Sequence, residues 1–204
     1  MFENIDITVN KDSVTVDFTP SASFYAINLK MADYDYLVTN ESTAGAKDRT
    51  LFVNKGDFSN IIKLDEDNDT TGIDWAAATN GVVPFNEIGT VVVAKEVVLD
   101  EADFVVLNEM VNAKSLTLKG NTTIPAKAMK AMTKLHTIDL PLVTSVGVEA
   151  FDADSLGTVK MPAYKFNEAA NGCLLDTLNL VTLEMGAEAM NAGFPKTGLT
   201  LKGY

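Results

Sequence analysis

The chain is poor in the side chains that most often carry chemistry, with one cysteine, Cys173, and one histidine, His136, among 204 residues. A single cysteine excludes an internal disulfide and a thiolate metal cluster. A Ser-His-Asp or Cys-His nucleophile would have to use His136, which lies between Leu135 and Thr137 at a position that we expect to face outward. We therefore interpret His136 as an exposed spacer and Cys173, which no basic residue flanks, as a small core residue.

Positive charge is also scarce, since 16 Lys and Arg face 28 Asp and Glu and the formal net charge is −12. A nucleic-acid binder normally has a basic cluster, and the sequence has none longer than a pair. No apolar run of 18 residues is present, and the N-terminus lacks the basic and apolar segments of a signal peptide. We expect no nucleic-acid partner and no direct membrane insertion of this chain.

Cofactor and metal motifs are absent as well. Neither the P-loop nor the G-x-G-x-x-G fingerprint occurs, so no nucleotide cofactor is predicted, and no zinc-ligand spacing is found. The acidic loop 65–69 fails the EF-hand pattern, because Thr70 and Ala76 occupy the positions of the required Gly and Glu. We predict no metal site and leave open whether this loop binds calcium in another way. The acidic residues show no spacing typical of a general acid and base, so no catalytic residue and no enzyme activity is predicted.

What the sequence does contain is a repeat. The pentapeptide Leu-Thr-Leu-Lys-Gly occurs at 116–120 and again at 199–203, and three apolar-polar-apolar triplets lie between the copies, at 138–140, 159–161 and 178–180. The steps from one to the next are 22, 21, 19 and 21 residues. A fixed period near twenty predicts a solenoid in which each triplet forms part of a parallel strand and directs its two apolar side chains inward.

The first 60 residues follow a different pattern, with short stretches that alternate between apolar and polar residues. These predict strands around 5–9, 14–18, 23–29 and 51–53, with a turn at 10–12 between the first two. We expect an antiparallel sheet or sandwich here, followed by an acidic loop at 64–80, and a helix at 100–110 that begins the solenoid as an irregular cap. Tyr25, Tyr34 and Tyr36 are either an aromatic contact patch or part of the core.

In the clearest repeat unit, at 124–141, three residues separate Ile124 from the pair Ala128 and Met129, and Met132, a Leu and the strand triplet follow. This frame resembles the BspA-like leucine-rich repeats of bacterial surface proteins, I-x-x-x-A-F-x-x-C-x-x-L-x-x-V-x-L-P, with Met129 for the Phe and Met132 for the Cys. Cys173 is near the cysteine position of another unit. The N-terminal residues resemble the fibronectin- or immunoglobulin-like modules that precede such repeats.

The resemblance implies a β-rich two-domain protein. Residues 1–80 would form a small antiparallel β-sandwich-like module with an acidic linker, and residues 81–204 a leucine-rich repeat solenoid of parallel strands with short helical turns on the opposite wall. It also implies a protein displayed on the cell surface or secreted, with a leader removed, although the sequence leaves a cytoplasmic address open. The implied activity is adhesion or recognition, by binding a host or matrix protein or a glycan.

The candidate binding face consists of the outward positions of the predicted strands. One set lies inside the triplets, and a hydroxyl-rich set lies directly before them. These residues are Thr117, Asp139, Lys160, Asn179 and Thr200 in the first set, and Ser115, Thr137, Thr158 and Thr177 in the second. Their side chains offer hydrogen-bonding groups to an extended partner. The competing interpretation is simple solvation, because outward strand positions are usually polar and threonine favours strands.

Two other functions stay open. A carbohydrate-active enzyme or accessory module would need two carboxylates that converge in a cleft, which a flat solenoid face rarely provides. A structural spacer or assembly subunit is the other alternative. The final triplet is not followed by a polar capping helix, which predicts an exposed strand edge and end-to-end self-association.

Overall fold

The structure, a computed structural model, describes residues 2–10, 13–20, 35–39, 42–43, 45–55, 57–64, 81–151, 155–164, 182–185 and 200–203, with the first two ranges and the last as backbone alone. The strands are β1 (Phe2–Asn10), β2 (Ser13–Pro20), β3 (Tyr36–Val38), β4 (Arg49–Val53), β5 (Ile62–Lys63), β6 (Val82–Val83), β7 (Ile88–Val93), β8 (Ser115–Leu118), β9 (Thr123–Ile124), β10 (Thr137–Asp139), β11 (Ser145–Val146), β12 (Thr158–Met161), β13 (Thr182–Met185) and β14 (Thr200–Gly203). One α-helix, α1 (Glu101–Leu107), and two short 3₁₀ helices, Phe58–Asn60 and Phe85–Glu87, complete the described elements.

The main feature is a sheet of eight strands in the order β14-β13-β12-β10-β8-β7-β4-β3. Every neighbouring pair from β4 to β14 is parallel and β3 alone runs antiparallel, against β4. Parallel neighbours that follow one another along the chain require the backbone to return to the same edge each time. The described residues therefore form a solenoid-like stack of parallel strands, as the repeat period predicts.

The apolar positions of the triplets form the core. One layer consists of Val91, Leu116, Ile138, Val159 and Leu183, and these residues lie in register on five adjacent strands and have no exposed surface. Each buried side chain of this size contributes roughly 1.5–3 kcal/mol to folding. Because every turn covers only its neighbours, this stabilisation is shared between turns and no turn is expected to fold alone.

The wall opposite the main sheet differs from the sequence-based expectation of short helical turns. Here β9 and β11 pair in parallel, and Met129 forms a parallel bridge with Phe151. The backbone N–H of Met129 donates to the carbonyl of Ala150, 2.7 Å away in the next turn of the solenoid. A helix would use those N–H groups within its own turn, so hydrogen bonding between turns explains why this part of the wall is extended.

Two residues of this wall adopt a left-handed backbone conformation, although neither is glycine. Lys127 has φ 59° and Glu149 has φ 53°, and they occupy equivalent positions in consecutive units, each directly before the alanine of the repeat frame. A positive φ turns the chain sharply and is unfavourable for residues with a Cβ. The repeat therefore contains a strained turn that its apolar pattern does not predict.

Helix α1 confirms the helix predicted at 100–110 but not its role as a cap that begins the solenoid, because β4 and β7 precede it in the chain and belong to the same parallel sheet. The Asp100 side chain accepts from the backbone N–H of Asp103, and the Asp103 side chain accepts from that of Asp100, both at 3.0 Å. This reciprocal capping box satisfies two backbone donors at the start of the helix. Phe104 and Leu107 are buried and place the helix on the first turns of the stack.

The N-terminal prediction is confirmed in one part and wrong in another. Strands β1 and β2 form the expected antiparallel hairpin, with Val9 opposite Val14 and Ile7 opposite Val16. The strand at 51–53, which the sequence assigned to the N-terminal module, instead pairs in parallel with β7 and continues the solenoid sheet. Its apolar side chains join the same core, so the sheet extends across residue 80. The predicted strand at 23–29 and the acidic loop 65–69 lie outside the described residues.

Candidate binding face

A row of hydroxyl-bearing residues crosses the main sheet at one register position. The row consists of Thr50, Thr90, Ser115, Thr137, Thr158, Thr182 and Thr200, one on each strand from β4 to β14. The six whose side chains are described are all partly exposed, whereas the residue that follows each of them in the chain is buried. Because strand neighbours are about 4.8 Å apart, this hydroxyl row presents a regular series of donors and acceptors.

Most hydroxyls of this row have no partner among the residues that the structure describes. Among the residues that the structure describes, the side chains of Thr90, Ser115, Thr137, Thr158 and Thr182 form no hydrogen bond with another protein group. Two hydroxyls elsewhere in the stack are used. The Ser155 Oγ donates to the carbonyl of Leu135 at 2.8 Å, and the Thr144 Oγ1 donates to that of Thr122 at 3.2 Å. The exposed Thr122, Thr123 and Thr133, which lie outside the main sheet, also form no side-chain hydrogen bond among the described residues, so the row differs from them in repeating a hydroxyl on every adjacent strand.

A second column lies two residues further along each strand on the same face. We call it the charge column, and it consists of Thr117, Asp139, Lys160, Glu184 and Lys202. Asp139 and Lys160 are partly exposed and form no ion pair within the described part of the chain. Glu184 differs, because it is only 5% exposed and is already engaged in another interaction. Asp139 and Lys160 are therefore the charged groups that this face offers to a partner.

Other charged side chains of the stack are paired away from this face. Lys130 bonds Glu149 at 2.6 Å on the opposite wall, and Lys63 bonds Glu109 at 2.8 Å beside α1. Each of these pairs is about half exposed, so each contributes little to stability. Asp139 and Lys160 lie in register on adjacent strands but do not form such an ion pair.

Towards β4 the column becomes apolar. Val92 is in register with Thr117, and Phe52 with Val92, and both apolar side chains are partly exposed. Leu37 continues the column on β3 and is buried. The face therefore combines a continuous hydroxyl row with a neighbouring column that changes from apolar, at Phe52 and Val92, to charged, at Asp139 and Lys160.

Six of the predicted face residues come together here, on three adjacent strands. Ser115, Thr137 and Thr158 lie in the hydroxyl row, and Thr117, Asp139 and Lys160 lie in the charge column. Thr200, which the sequence grouped with Thr117, instead lies in the hydroxyl row in register with Thr182, and Lys202 takes the position in the charge column. Their role in binding stays a prediction.

The assignment of the next strand needs a correction. Thr177 and Asn179 lie outside the described residues, and the positions in register with Thr158 and Lys160 belong to Thr182 and Glu184. The segment 178–185 contains apolar-polar-apolar triplets at 178–180, 181–183 and 183–185, and the structure uses the last of them. Thr50 and Thr90 were not predicted as face residues, although each directly precedes an apolar stretch in the same way as Ser115 does.

The remaining candidates that fall within the described ranges do not assemble into a chemical site. His136 is exposed, as expected, and its ring lies against Gly157, where an added Cβ would approach the ring to within 2.1 Å. Its Nδ1 lies 3.0 Å from the carbonyl oxygen of Ser155. Tyr36 is buried in the core, while Cys173, Tyr25 and Tyr34 lie outside the described residues. No group of three or more His, Cys, Asp or Glu side chains that could hold a metal occurs in the described ranges.

A carboxyl pair lies at the side of the stack, where α1 contacts the 3₁₀ helix at 58–60. Burial raises the pKa of Asp103, and the nearby carboxylates of Asp100 and Asp57 raise it further. Hydrogen bonds from Ser59 lower the pKa of Asp57, which also shares a hydrogen bond with Asp103. The pKa values of the two groups therefore shift in opposite directions, and the buried Asp103 stays protonated over a wider pH range than an ordinary aspartate.

No helix among the described residues is long and apolar enough to cross a membrane. Comparison with models of known protein families, with curated proteins and with solved structures found no match to this chain.

Proposed function

We propose that this protein is a recognition protein that binds an extended ligand without chemical turnover, through the face formed by the hydroxyl row and the charge column. The observation that carries the proposal is the run of five hydroxyls, from Thr90 to Thr182, that are partly exposed and have no partner among the described residues. Solvation accounts for polar residues at outward positions. It does not require the same functional group on every strand.

The rigidity of the face supports binding. Each hydroxyl is attached to a strand held by neighbours on both sides, and β-branched threonine has few side-chain rotamers to lose. A ligand therefore meets groups that are already in place, which lowers the entropic cost of association. Each hydrogen bond is worth only about 0.5–1.5 kcal/mol, so useful affinity requires a ligand that engages several strands at once.

The place of action follows from the resemblance to BspA-like repeats rather than from the geometry. By that resemblance, we propose display on a bacterial cell surface and adhesion to a host or matrix protein or a glycan. The alternative to adhesion is a purely structural spacer, whose function would not depend on the hydroxyls of the row.

A pair of matched variants tests the proposal. The row variant, Thr137→Val/Thr158→Val/Thr182→Val, removes three hydroxyls and keeps the β-branched shape. The control variant, Thr122→Val/Thr123→Val/Thr133→Val, makes the same change at three exposed positions outside the main sheet. Both are screened beside the wild type on arrays of purified glycans and of matrix proteins such as collagen, laminin and fibronectin.

The expected result is a ligand that the wild type and the control variant bind and that the row variant binds at least tenfold more weakly. Circular dichroism and thermal unfolding check that all three proteins are folded. A ligand that the row variant retains in full would contradict the role of this face, and no ligand for any of the three would favour the spacer.

A further inference from the structure

We infer that the partner of this face is a proline-rich segment in the polyproline II conformation, lying across the strands along the hydroxyl row. The inference rests on the function proposed above and names the chemistry of the ligand. Three features of the face lead to it: the spacing of the row, the kind of hydrogen bond that the row offers, and the apolar residues beside it.

The spacing of the row selects among the regular conformations of a peptide. Two strand steps measure about 9.6 Å, and one turn of polyproline II, three residues of about 3.1 Å each, measures about 9.3 Å. The two periods therefore differ by only about 0.3 Å per turn. An extended strand repeats on one side about every 6.7 Å and is out of phase with the row after one step. An α-helix, with a pitch of 5.4 Å, drifts by about 0.6 Å at every strand.

The hydrogen-bonding chemistry agrees with the spacing. Polyproline II has no internal hydrogen bonds, so its carbonyl groups are free, and proline has no N–H. Such a chain presents acceptors, and the hydroxyls of Ser115, Thr137, Thr158 and Thr182 are available as donors. The carbonyl groups of a helical ligand are already used within the helix, so a helix gains little from a row of donors.

The apolar residues beside the row provide a place for the proline rings. Phe52 and Val92 are partly exposed in the column next to Thr50 and Thr90. Docking on aromatic and apolar surfaces is how folded domains usually recognise polyproline II, a conformation that loses little entropy on binding. From Thr50 to Thr182 the row spans five strand steps, or about 24 Å. A ten-residue polyproline II chain is about 31 Å long and covers this distance.

Fluorescence polarisation with labelled decaproline tests the inference directly. Two labelled peptides are the controls: a Gly-Ser decamer is flexible, and an alternating Thr-Gln decamer forms strands. Cellohexaose, a neutral glycan, is tested as an unlabelled competitor. We expect decaproline to bind the wild type at least tenfold more tightly than any of these three. The row variant should lose at least tenfold in affinity for decaproline, and the control variant should stay within twofold of the wild type. Val92→Thr, which keeps the shape but removes apolar surface, should weaken binding severalfold.

Failure of this inference is distinguishable from failure of the proposed function. Absence of decaproline binding, or equal binding by the wild type and the row variant, overturns the polyproline II ligand. If the Thr-Gln decamer, cellohexaose or an array ligand then binds and is lost in the row variant, the proposed function survives with a different partner. If the row variant retains every ligand that the wild type binds, both proposals are wrong.

Discussion

Shortening Ile138 to alanine is the sharpest test of how the stack is held together. Ile138 has no exposed surface and lies in register between Leu116 and Val159, which are equally buried. The substitution removes three carbon groups, a transfer loss of about 2.4 kcal/mol at roughly 0.8 kcal/mol each. The cavity left between two neighbouring turns adds to this loss, and buried Ile or Leu to Ala changes usually cost about 2–5 kcal/mol in total.

A loss of this size is large compared with the stability of a typical domain, about 5–15 kcal/mol. It corresponds to a fall in Tm of roughly 4–20 °C, since 1 kcal/mol shifts the Tm of a chain of 150–250 residues by about 2–4 °C. Urea unfolding followed by circular dichroism measures the change. Thr137→Val, at the preceding outward position, should stay within about 0.5 kcal/mol of the wild type. Equal losses for the two variants would refute the assignment of inward and outward positions.

Three further predictions concern the backbone and the carboxyl pair. Lys127→Gly should raise the unfolding free energy by up to about 1 kcal/mol, because it relieves a positive φ, whereas Lys127→Ala should leave it within about 0.5 kcal/mol; chemical denaturation that ranks the two equally would contradict this. Gly120→Ala should destabilise the stack by more than about 1 kcal/mol, since the added Cβ would lie 2.3 Å from the backbone carbonyl oxygen of Val97; an unchanged Tm would refute the close approach. The raised pKa of Asp103 means that the native state holds this proton more tightly than the unfolded chain, so its contribution is complete at low pH and is lost as the pH rises through the folded pKa. Asp103→Asn retains an acceptor for the helix cap, and its unfolding free energy relative to that of the wild type should therefore increase as the pH rises from about 4, the ordinary pKa of an aspartate; a variant that loses stability relative to the wild type as the pH rises, in urea titrations, would contradict the raised pKa.

The regular part of the repeat could be predicted because its signals are local. Triplets at 116–118, 138–140 and 159–161 follow one another at nearly constant steps, and the structure places their residues in register on adjacent strands. Helix α1 could also be predicted from the sequence, because an acidic residue at the N-cap and another three positions later form a recognisable start signal. In both cases the residues that decide the structure are close in sequence.

The other features of the fold depend on contacts between distant parts of the chain, which a repeat period in the sequence does not predict. A strand at 178–180 and one at 183–185 satisfy the same alternation, and only pairing with β12 selects the second. Leu51 and Val53 are separated from Val91 by a long insertion, so their membership of the same core was hidden. The extended wall at Met129 results from hydrogen bonds between turns, whereas the Ala-Met pair alone is compatible with a helical turn.

The candidate face, like the fold, could be predicted only in part from the sequence. The hydroxyls at Ser115, Thr137 and Thr158 were visible as residues directly before a strand triplet. Their lack of protein partners was not visible, since it depends on how the rest of the chain packs around them. The exposed Thr122 and Thr123 share this lack of partners, and what distinguishes the hydroxyl row is that a hydroxyl recurs in register on every adjacent strand.

The central claim, that the hydroxyl row contacts the ligand, is tested most directly by NMR of the protein labelled with ¹³C at its threonine methyl groups. Addition of an array ligand or of decaproline should shift the methyl resonances of Thr137, Thr158 and Thr182 and leave those of Thr122 and Thr123 unchanged. Shifts confined to Thr122 and Thr123, with the three resonances of the row unmoved at saturation, would contradict the account.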